Sequence, residues 1–339
     1  MAIIRSLSNP FEIQDWTQEL LVVPNIYGKV QQMGLFDVES VATHTVTFEQ
    51  INQSLGLIGD KVRGERNNVS KDYTRLLRAY AIPHFPLDDA IKPEDIQGKS
   101  AYGGSGAGVP EVLDQVRARK LERIRRSHAQ TLEVARMKAL TTGDIYAPNG
   151  TVAGNFYTDF SVSRKEVDFD MDTGTTEVQL KIEEVVAHIQ DNLFTGDVAT
   201  EIVALCSPGF FNRLITHPTV KTAYQYYTST QEPLRNRLGT GLDREFVFGG
   251  VRFMEYRATV AGSPLVPAND AYFFPLGTFD VFKTYFGPAN RFDTVNTLGM
   301  EAYMFEFRNQ TDTEIQLQSE SNFINIIRRP QVVVRGYTG

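Results

Sequence analysis

The sequence predicts an α+β fold, in which one long helix and a set of dispersed strands share the chain without regular βαβ alternation. Two observations predict it. A single stretch of about 110–142 reads as helix without interruption, flanked by Pro110 at its start and Gly143 at its end. Strand-type runs lie on both sides of it, from THTVTFEQI before it to EIQLQSES and QVVVRGY at the close.

In chain order, residues 1–42 mix short apolar pieces (Phe11, Ile13, Trp16, then LLVV) with Pro10, Pro24, Gly28 and Gly34. No period runs long enough for an isolated element, so this segment reads as an extended arm that packs against something else. Residues 43–86 read as a two-stranded ribbon. Its first strand alternates Thr43, Thr45 and Thr47 with His44, Val46 and Phe48, and its return strand is YTRLLRAYAIPHF, closed by Pro83 and Pro86. Between them lies a polar tip, GLIGDKVRGERNNVSK, carrying Lys61, Arg63, Glu65 and Arg66. A two-stranded ribbon is marginal alone in water, so it lies either on its own domain or on a neighbouring subunit.

Residues 87–108 form a connector ending in AYGGSGAG, whose Gly103, Gly104, Gly106 and Gly108 read as a hinge. The sharper motifs fail on spacing. Ser105 has Gly103 before it but Ala107 where a nucleophile elbow needs glycine, and Gly104 and Gly106 are followed by Val109 where a dinucleotide loop needs its third glycine.

The long helix opens with Glu111 and Asp114 near its positive end. At 1.5 Å per residue it spans roughly 50 Å. Leu113, Val116, Leu121, Ile124, Leu132, Ala135 and Ala139 form a narrow apolar stripe, which predicts one face on a sheet and the rest toward solvent or other chains. Arg117, Arg119, Lys120, Arg123, Arg125 and Arg126 stand against Glu122 alone. This basic strip reads as a solvated face with local charge pairs, as a contact with acidic surfaces of neighbouring chains, or as a contact with DNA. It has little interleaved aromatic, so base stacking is not expected.

Residues 144–165 read as a hairpin about Asn149-Gly150. Residues 166–310 read as an α/β unit. Val178, Ile182, Val185, Ile189 and Leu193 recur at helical spacing, EIVALC is a buried strand, and Ser207 is an N-cap. EFVFGGVRFMEY is a hairpin about Gly249-Gly250, and AYFFPLG a further strand. Residues 311–339 supply closing strands.

Composition narrows the functions. The chain has 339 residues, 42% of them apolar, and a net charge of −7. That length supports two or three compact units, and the acidic balance argues against a protein whose main work is gripping phosphates. The single cysteine, Cys206, excludes an internal disulfide framework and a multi-cysteine zinc site. No signal peptide and no apolar run of membrane-spanning length is read. There is no phosphate loop and no His-Glu-x-x-His, and the five histidines are scattered. The carboxylates of DFDMD (168–172) lack the glycine and terminal glutamate of a calcium loop. No cofactor, metal or catalytic set is expected.

The order of elements, together with LFDVESVATHTVTFEQ, RLLRAYAIPHFPLDDAIKPED, QVRARKLERIRRSHAQTLEVARMKALTTGDIYA, LCSPGFFNRLITHPTVK, FVFGGVRFMEY, LVPANDAYFFPLGTFDVFKTYFGPA and the ending TEIQLQSESNFINIIRRPQVVVR, resembles the lambda-type major capsid proteins of tailed bacteriophages, the phage capsid E family, over nearly the whole chain. The resemblance implies a Hong Kong phage-type capsid fold. The arm would be 1–42 and the ribbon at 43–86 an extended loop lying over the adjacent subunit. The peripheral domain would be 87–165 with the closing strands 311–339, and the axial domain 166–310. It implies self-assembly as hexamers and pentamers into an icosahedral shell around double-stranded DNA, without sequence-specific binding and without a membrane. It also implies a portal, in some relatives a decoration protein, and a separate scaffolding protein, since the chain begins directly with the arm. Lys61 and Lys71 lie in the ribbon, but lambda-type members hold together without a lysine cross-link. On this reading the ribbon tip and the helix arginines serve assembly, the chain is made in the host cytoplasm and ends in the virion, and it is not an enzyme. Two alternatives stand beside it: a cellular encapsulating shell, and a soluble α/β hydrolase using Ser105 or Cys206.

Overall fold

The computed structural model describes residues 14–15, 28–52, 74–97, 113–193, 197, 199–227, 244–260, 262–311 and 313–338. In chain order the strands are β1 (Gln14–Asp15), β2 (Asp37–Ser40), β3 (Thr45–Asn52), β4 (Thr74–Ala81), β5 (His84–Ile91), β6 (Asp144–Tyr146), β7 (Val152–Asn155), β8 (Glu166–Asp168), β9 (Glu201–Cys206), β10 (Glu245–Phe248), β11 (Val251–Glu255), β12 (Thr259–Val260), β13 (Ser263–Pro264), β14 (Asp270–Leu276), β15 (Phe282–Phe286), β16 (Tyr303–Arg308), β17 (Ile315–Ile327) and β18 (Val334–Tyr337). The principal helices are Leu113–Thr141, the spine, then Val178–Asn192, Pro208–Thr216 and Pro218–Tyr227.

Two sheets carry the fold. The first runs β1-β16-β17-β15-β2, with β5 also paired to β17. The 13-residue β17 is its axis: its first part lies between β16 and β5, and Phe323–Ile327 continue on to pair with β15. The second runs β10-β11-β9-β14-β18-β8. Both faces of this second sheet are covered, which explains why its strands read as unbroken apolar runs. Ala204, Cys206, Phe253 and Phe273 face the helices Val178–Asn192 and Pro208–Thr216, whereas Val203, Leu205, Tyr272 and Phe274 face the first sheet.

The spine ends where the two sheets meet. Met137, Ala139 and Leu140 share one core with Val203, Leu205 and Phe274 of the second sheet and Phe282, Ile324 and Ile326 of the first. Nearer its start the helix covers the first sheet alone, through Val116, Leu121 and Ile124 against Ile91, Met304 and Leu317.

Several expectations are corrected by this packing. The apolar stripe is narrow only in the first half of the spine. From His128 onward most of the circumference is buried, including Glu133 and Arg136, because the second sheet closes over a side that the first leaves open, and the face of Gln130, Val134 and Lys138 stays outward. The segment 28–40 is not an arm lying elsewhere. Val30, Leu35 and Phe36 are buried in the chain's own core, and β2 pairs in parallel with β15. The hairpin expected over 144–165 stops at Asn155, whose side-chain oxygen accepts from the Tyr157 and Thr158 amides and so starts a one-turn helix, Phe156–Asp159.

The partition at 310 is also crossed. β15 and β16, expected in the unit 166–310, belong to the first sheet with β17, and β18, expected with the closing strands 311–339 of the first unit, inserts between β14 and β8 of the second. Arg335 fixes that insertion, donating to both carboxylate oxygens of Asp270 at 2.8 and 3.1 Å.

Leu140 is fully buried at the junction of both sheets, whereas Leu180 is largely exposed on its helix. Leu140→Ala is therefore expected to lower the unfolding free energy of the isolated subunit by about 2–5 kcal/mol in urea. Leu180→Ala should stay within about 0.5 kcal/mol. Equal costs would contradict the packing described.

Candidate functional site

Of the residues singled out from sequence, Lys61, Arg63, Glu65 and Arg66 of the ribbon tip and Gly103, Gly104, Gly106 and Gly108 of the hinge lie outside the described residues, as does Ser105. The base of the ribbon and the spine's basic strip are described, and both are built by the chain's own side chains.

The ribbon is one antiparallel pair, β3 with β4, in register from Thr45 opposite Ala81 to Asn52 opposite Thr74. Its base sits on an aromatic seat. Phe48 stacks on Tyr80 at 5.6 Å and on Phe160 at 6.3 Å, Tyr80 meets Phe156 edge-on at 6.4 Å, and the Arg78 guanidinium lies 5.0 Å over the Phe160 ring. The Tyr80 hydroxyl donates to Asp159 at 2.9 Å. Burial and the Asp159 carboxylate hold that phenol well above its ordinary pKa, so it stays a donor. The seat lies on the one-turn helix that Asn155 caps, and Asn155 also ties this helix to the spine's end by donating to the Thr142 carbonyl at 3.0 Å. Thus the base of the ribbon is held, through this helix, to the end of the spine. The alternation of Val46 and Phe48 was readable in the sequence. Their partner helix was not, because its four residues carry no periodic signal.

The basic strip divides in three. Arg117 grips Glu306 of β16 with two parallel bonds of 2.8 and 2.9 Å and also bonds Asp114, Lys120 bonds Asp89 and the Ala90 carbonyl of β5, and Arg125 bonds Glu301 at 2.8 Å. Arg126 pairs along the helix with Glu122. Arg119 and Arg123, four residues apart on one face, are exposed. Three of the six cations are therefore turned to the first sheet, where they neutralise carboxylates. This is the arrangement of a helix clamped to its own sheet, not of a continuous track for phosphates.

Farther along, three buried polar side chains lock the spine. His128 Nε2 lies 2.9 Å from Ser319 Oγ, which itself donates to the Leu87 carbonyl at 2.6 Å. The imidazole is therefore the donor in that pair. Glu133 Oε1 accepts from the Val30 amide at 3.0 Å and from the Tyr256 hydroxyl at 2.9 Å, joining the segment 28–40 and the second sheet to the spine. Arg136 donates to Thr284 Oγ1 at 3.3 Å and lies over the Phe36 ring. Burial lowers its pKa to about 10, which leaves it charged at neutral pH.

Cys206 is fully buried in β9, and burial pushes its thiol well up, so no accessible thiolate nucleophile exists there. Among the described residues no cluster of three or more metal-ligating side chains occurs, and no helix is long and apolar enough to cross a membrane. The DFDMD carboxylates are used locally: Asp168 accepts from the Asp170 amide, and Asp172 pairs with Arg213.

Comparison with known proteins settles the family. The sequence profile for phage major capsid protein E matches residues 13–338. The chain belongs to that family. It is 47% identical to the major capsid protein of Pseudomonas phage KPP10 over 99% of both chains, and 28% identical to that of Salmonella phage Felix O1 over 98% of this chain and 97% of the other. In fold it is similar to the putative capsid protein of an Escherichia coli CFT073 prophage, with a TM-score of 0.57 at 12% identity, covering 97% of this chain and 100% of that one. It is also similar to the capsid protein of cyanophage Pam1, with a TM-score of 0.55 at 11% identity, covering 90% and 88%. The capsid fold and the role of a capsid protein in a phage virion, both expected from sequence, hold.

Burial and the Arg125 charge lower the pKa of His128 from 6.5 to about 4. A histidine held neutral in the folded state contributes stability that is complete above its unfolded pKa near 6.5 and is lost as pH falls toward 4. The isolated subunit should therefore lose on the order of 3 kcal/mol through this group across that window. His128→Asn should flatten the dependence in urea titrations between pH 6.5 and 4. An unchanged slope would show that His128 does not titrate as described.

Proposed function

We propose that copies of this chain associate as hexamers and pentamers into the icosahedral shell of a tailed phage, enclosing double-stranded DNA. The observation that carries the reading is the match to the KPP10 major capsid protein, which covers 99% of both chains. The geometry supports it. The base of the ribbon is a single two-stranded pair on a seat tied to the end of the spine, a form that gains stability by lying on another subunit. Head-to-tail contacts of this kind close into rings.

The net charge of −7 suits a container for a polyanion, since a shell that gripped its DNA tightly would oppose both filling and release. The pairing of Arg117, Lys120 and Arg125 within the subunit favours the local-pair reading of the strip, leaving Arg119 and Arg123 as its outward members. The partners this function calls for are a separate scaffolding protein and a portal, and in some relatives a decoration protein, with the glycines of 103–108 absorbing changes of shell shape. The ribbon tip, through Lys61, Arg63, Glu65 and Arg66, supplies contact with the adjacent subunit. The alternative of a cellular encapsulating shell has no observation of its own in its favour, and a hydrolase would have to use Ser105, outside the described residues, because Cys206 is fully buried.

Charge reversal at the tip tests the assignment. Arg63→Glu with Arg66→Glu is expected to leave the circular dichroism of the subunit unchanged and to lower the yield of closed particles by about tenfold or more, equivalent to roughly 1.4 kcal/mol in one contact. Normal yields in negative-stain micrographs would remove the tip from the intersubunit contact.

A further inference from the structure

The connection between β15 and β16, residues 287–302, carries an unusual surface. Phe292 is 99% exposed, Val295 59% and Leu298 65%, with Met300 exposed beside them. Scattered single apolar residues on a surface need no explanation, but several in one short loop do.

The loop is not a loose tether. The Asn290 amide donates to Glu320 at 3.0 Å, the Thr294 hydroxyl to the Ala289 carbonyl at 2.8 Å, and the Thr297 hydroxyl to the Thr294 carbonyl at 2.8 Å. The Met300 amide donates to the Tyr303 hydroxyl at 2.9 Å, and the Gly299 amide to the Val41 carbonyl at 3.1 Å. Gly299 is pressed so closely on the first sheet that a Cβ there would come within 2.2 Å of the Phe286 carbonyl oxygen. The turn Phe292–Thr294 is 3-10, closed by the Val295 amide bonding the Phe292 carbonyl, and in such a turn residues three apart lie on the same side. Phe292 and Val295 are thus displayed together on a stiff support. A large apolar side chain held in place before binding loses little entropy on contact, which is how the anchor of an interface is built.

The chemistry of the loop selects its partner. Between Pro288 and Met300 the charged residues are Arg291 and Asp293, which cancel. The Arg291 guanidinium is turned back onto the molecule, 4.1 Å over the Phe305 ring and bonded to Gln318. The outward face therefore offers no cation to a phosphate and no basic belt to a lipid surface. It fits an apolar protein surface. A capsid protein assembles its shell with copies of itself, so the apolar protein surface most often beside this loop is another copy.

We propose that the loop 290–300, with Phe292 as its anchor, is an intersubunit contact that buries these side chains against a second copy of this chain in the assembled shell. This assignment rests on the shell reading and adds a second contact, apolar and preformed, to the charged one at the ribbon tip.

Labelling tests it. Because Cys206 is fully buried, the unsubstituted chain gives a silent background to maleimide, and Phe292→Cys reports on position 292 alone. The thiol at that position should react at least about tenfold more slowly in assembled particles than in free subunits. Phe292→Ser and Leu298→Ser should each lower particle yield by about tenfold or more, with the subunit's unfolding midpoint unmoved, since neither side chain supports the fold. Equal labelling rates in particle and subunit, or wild-type particle yields from both serine variants, would overturn the proposal while the shell reading stands. Failure of the unsubstituted chain to form particles under any condition would overturn the shell reading, and this contact with it.

Discussion

The structure depends on the burial of the second half of the spine between two sheets. A helix of 29 residues extends about 44 Å, farther than one small sheet can cover. Its first half behaves as a helix on the surface of a sheet, with one buried face and clamping ion pairs at the margin. Its second half passes under the second sheet and keeps only the narrow open face of Gln130, Val134 and Lys138. Met137, Ala139 and Leu140 then belong to one core with both sheets, so neither sheet can shift without disturbing that core. The polar side chains caught in this burial, His128, Glu133 and Arg136, each reach a partner on a different element, as buried polar groups must if they are not to cost stability. They also fix the rotation of the helix, because sliding it by one residue would orphan all three.

The outward features follow from this rigid centre. The aromatic seat of the ribbon hangs from the end of the spine through Asn155, and the loop 290–300 hangs from β15 and β16, which the spine holds through Arg136 to Thr284 and Arg117 to Glu306. A protein that builds a closed surface from copies of itself needs contacts whose directions are set before assembly. A flexible subunit would spread its contacts over many angles and lose closure. Four of the strip's cations, Arg117, Lys120, Arg125 and Arg126, are spent on carboxylates of the same chain.

The elements with strong local signals were legible in the sequence. The spine, the helix carrying Val178, Ile182, Val185 and Ile189, the Ser207 cap and the hairpin about Gly249-Gly250 all lie where periodicity and turn chemistry put them. What escaped was set by long-range pairing. Nothing local distinguishes β18 from β17, yet the former joins the second sheet because Arg335 finds Asp270. Nothing in the composition of residues 28–40 announces that Glu133, far along the chain, will accept the Val30 amide. The basic strip was visible as six cations, but the carboxylates that occupy Arg117, Lys120 and Arg125 come from β16, β5 and residue Glu301, distant in sequence. The apolar residues of 292–300 were readable as letters. Their exposure was not, because it depends on Gly299 pinning the loop against Phe286.

The most direct test of the spine's role is hydrogen exchange on the isolated subunit. Amides of 132–141 should exchange together with those of β9 and of 323–327, at the rate of global unfolding, while 113–123 open earlier. Uniform exchange along the whole helix, or independent opening of the two sheets, would contradict a fold held together at the buried half of its spine.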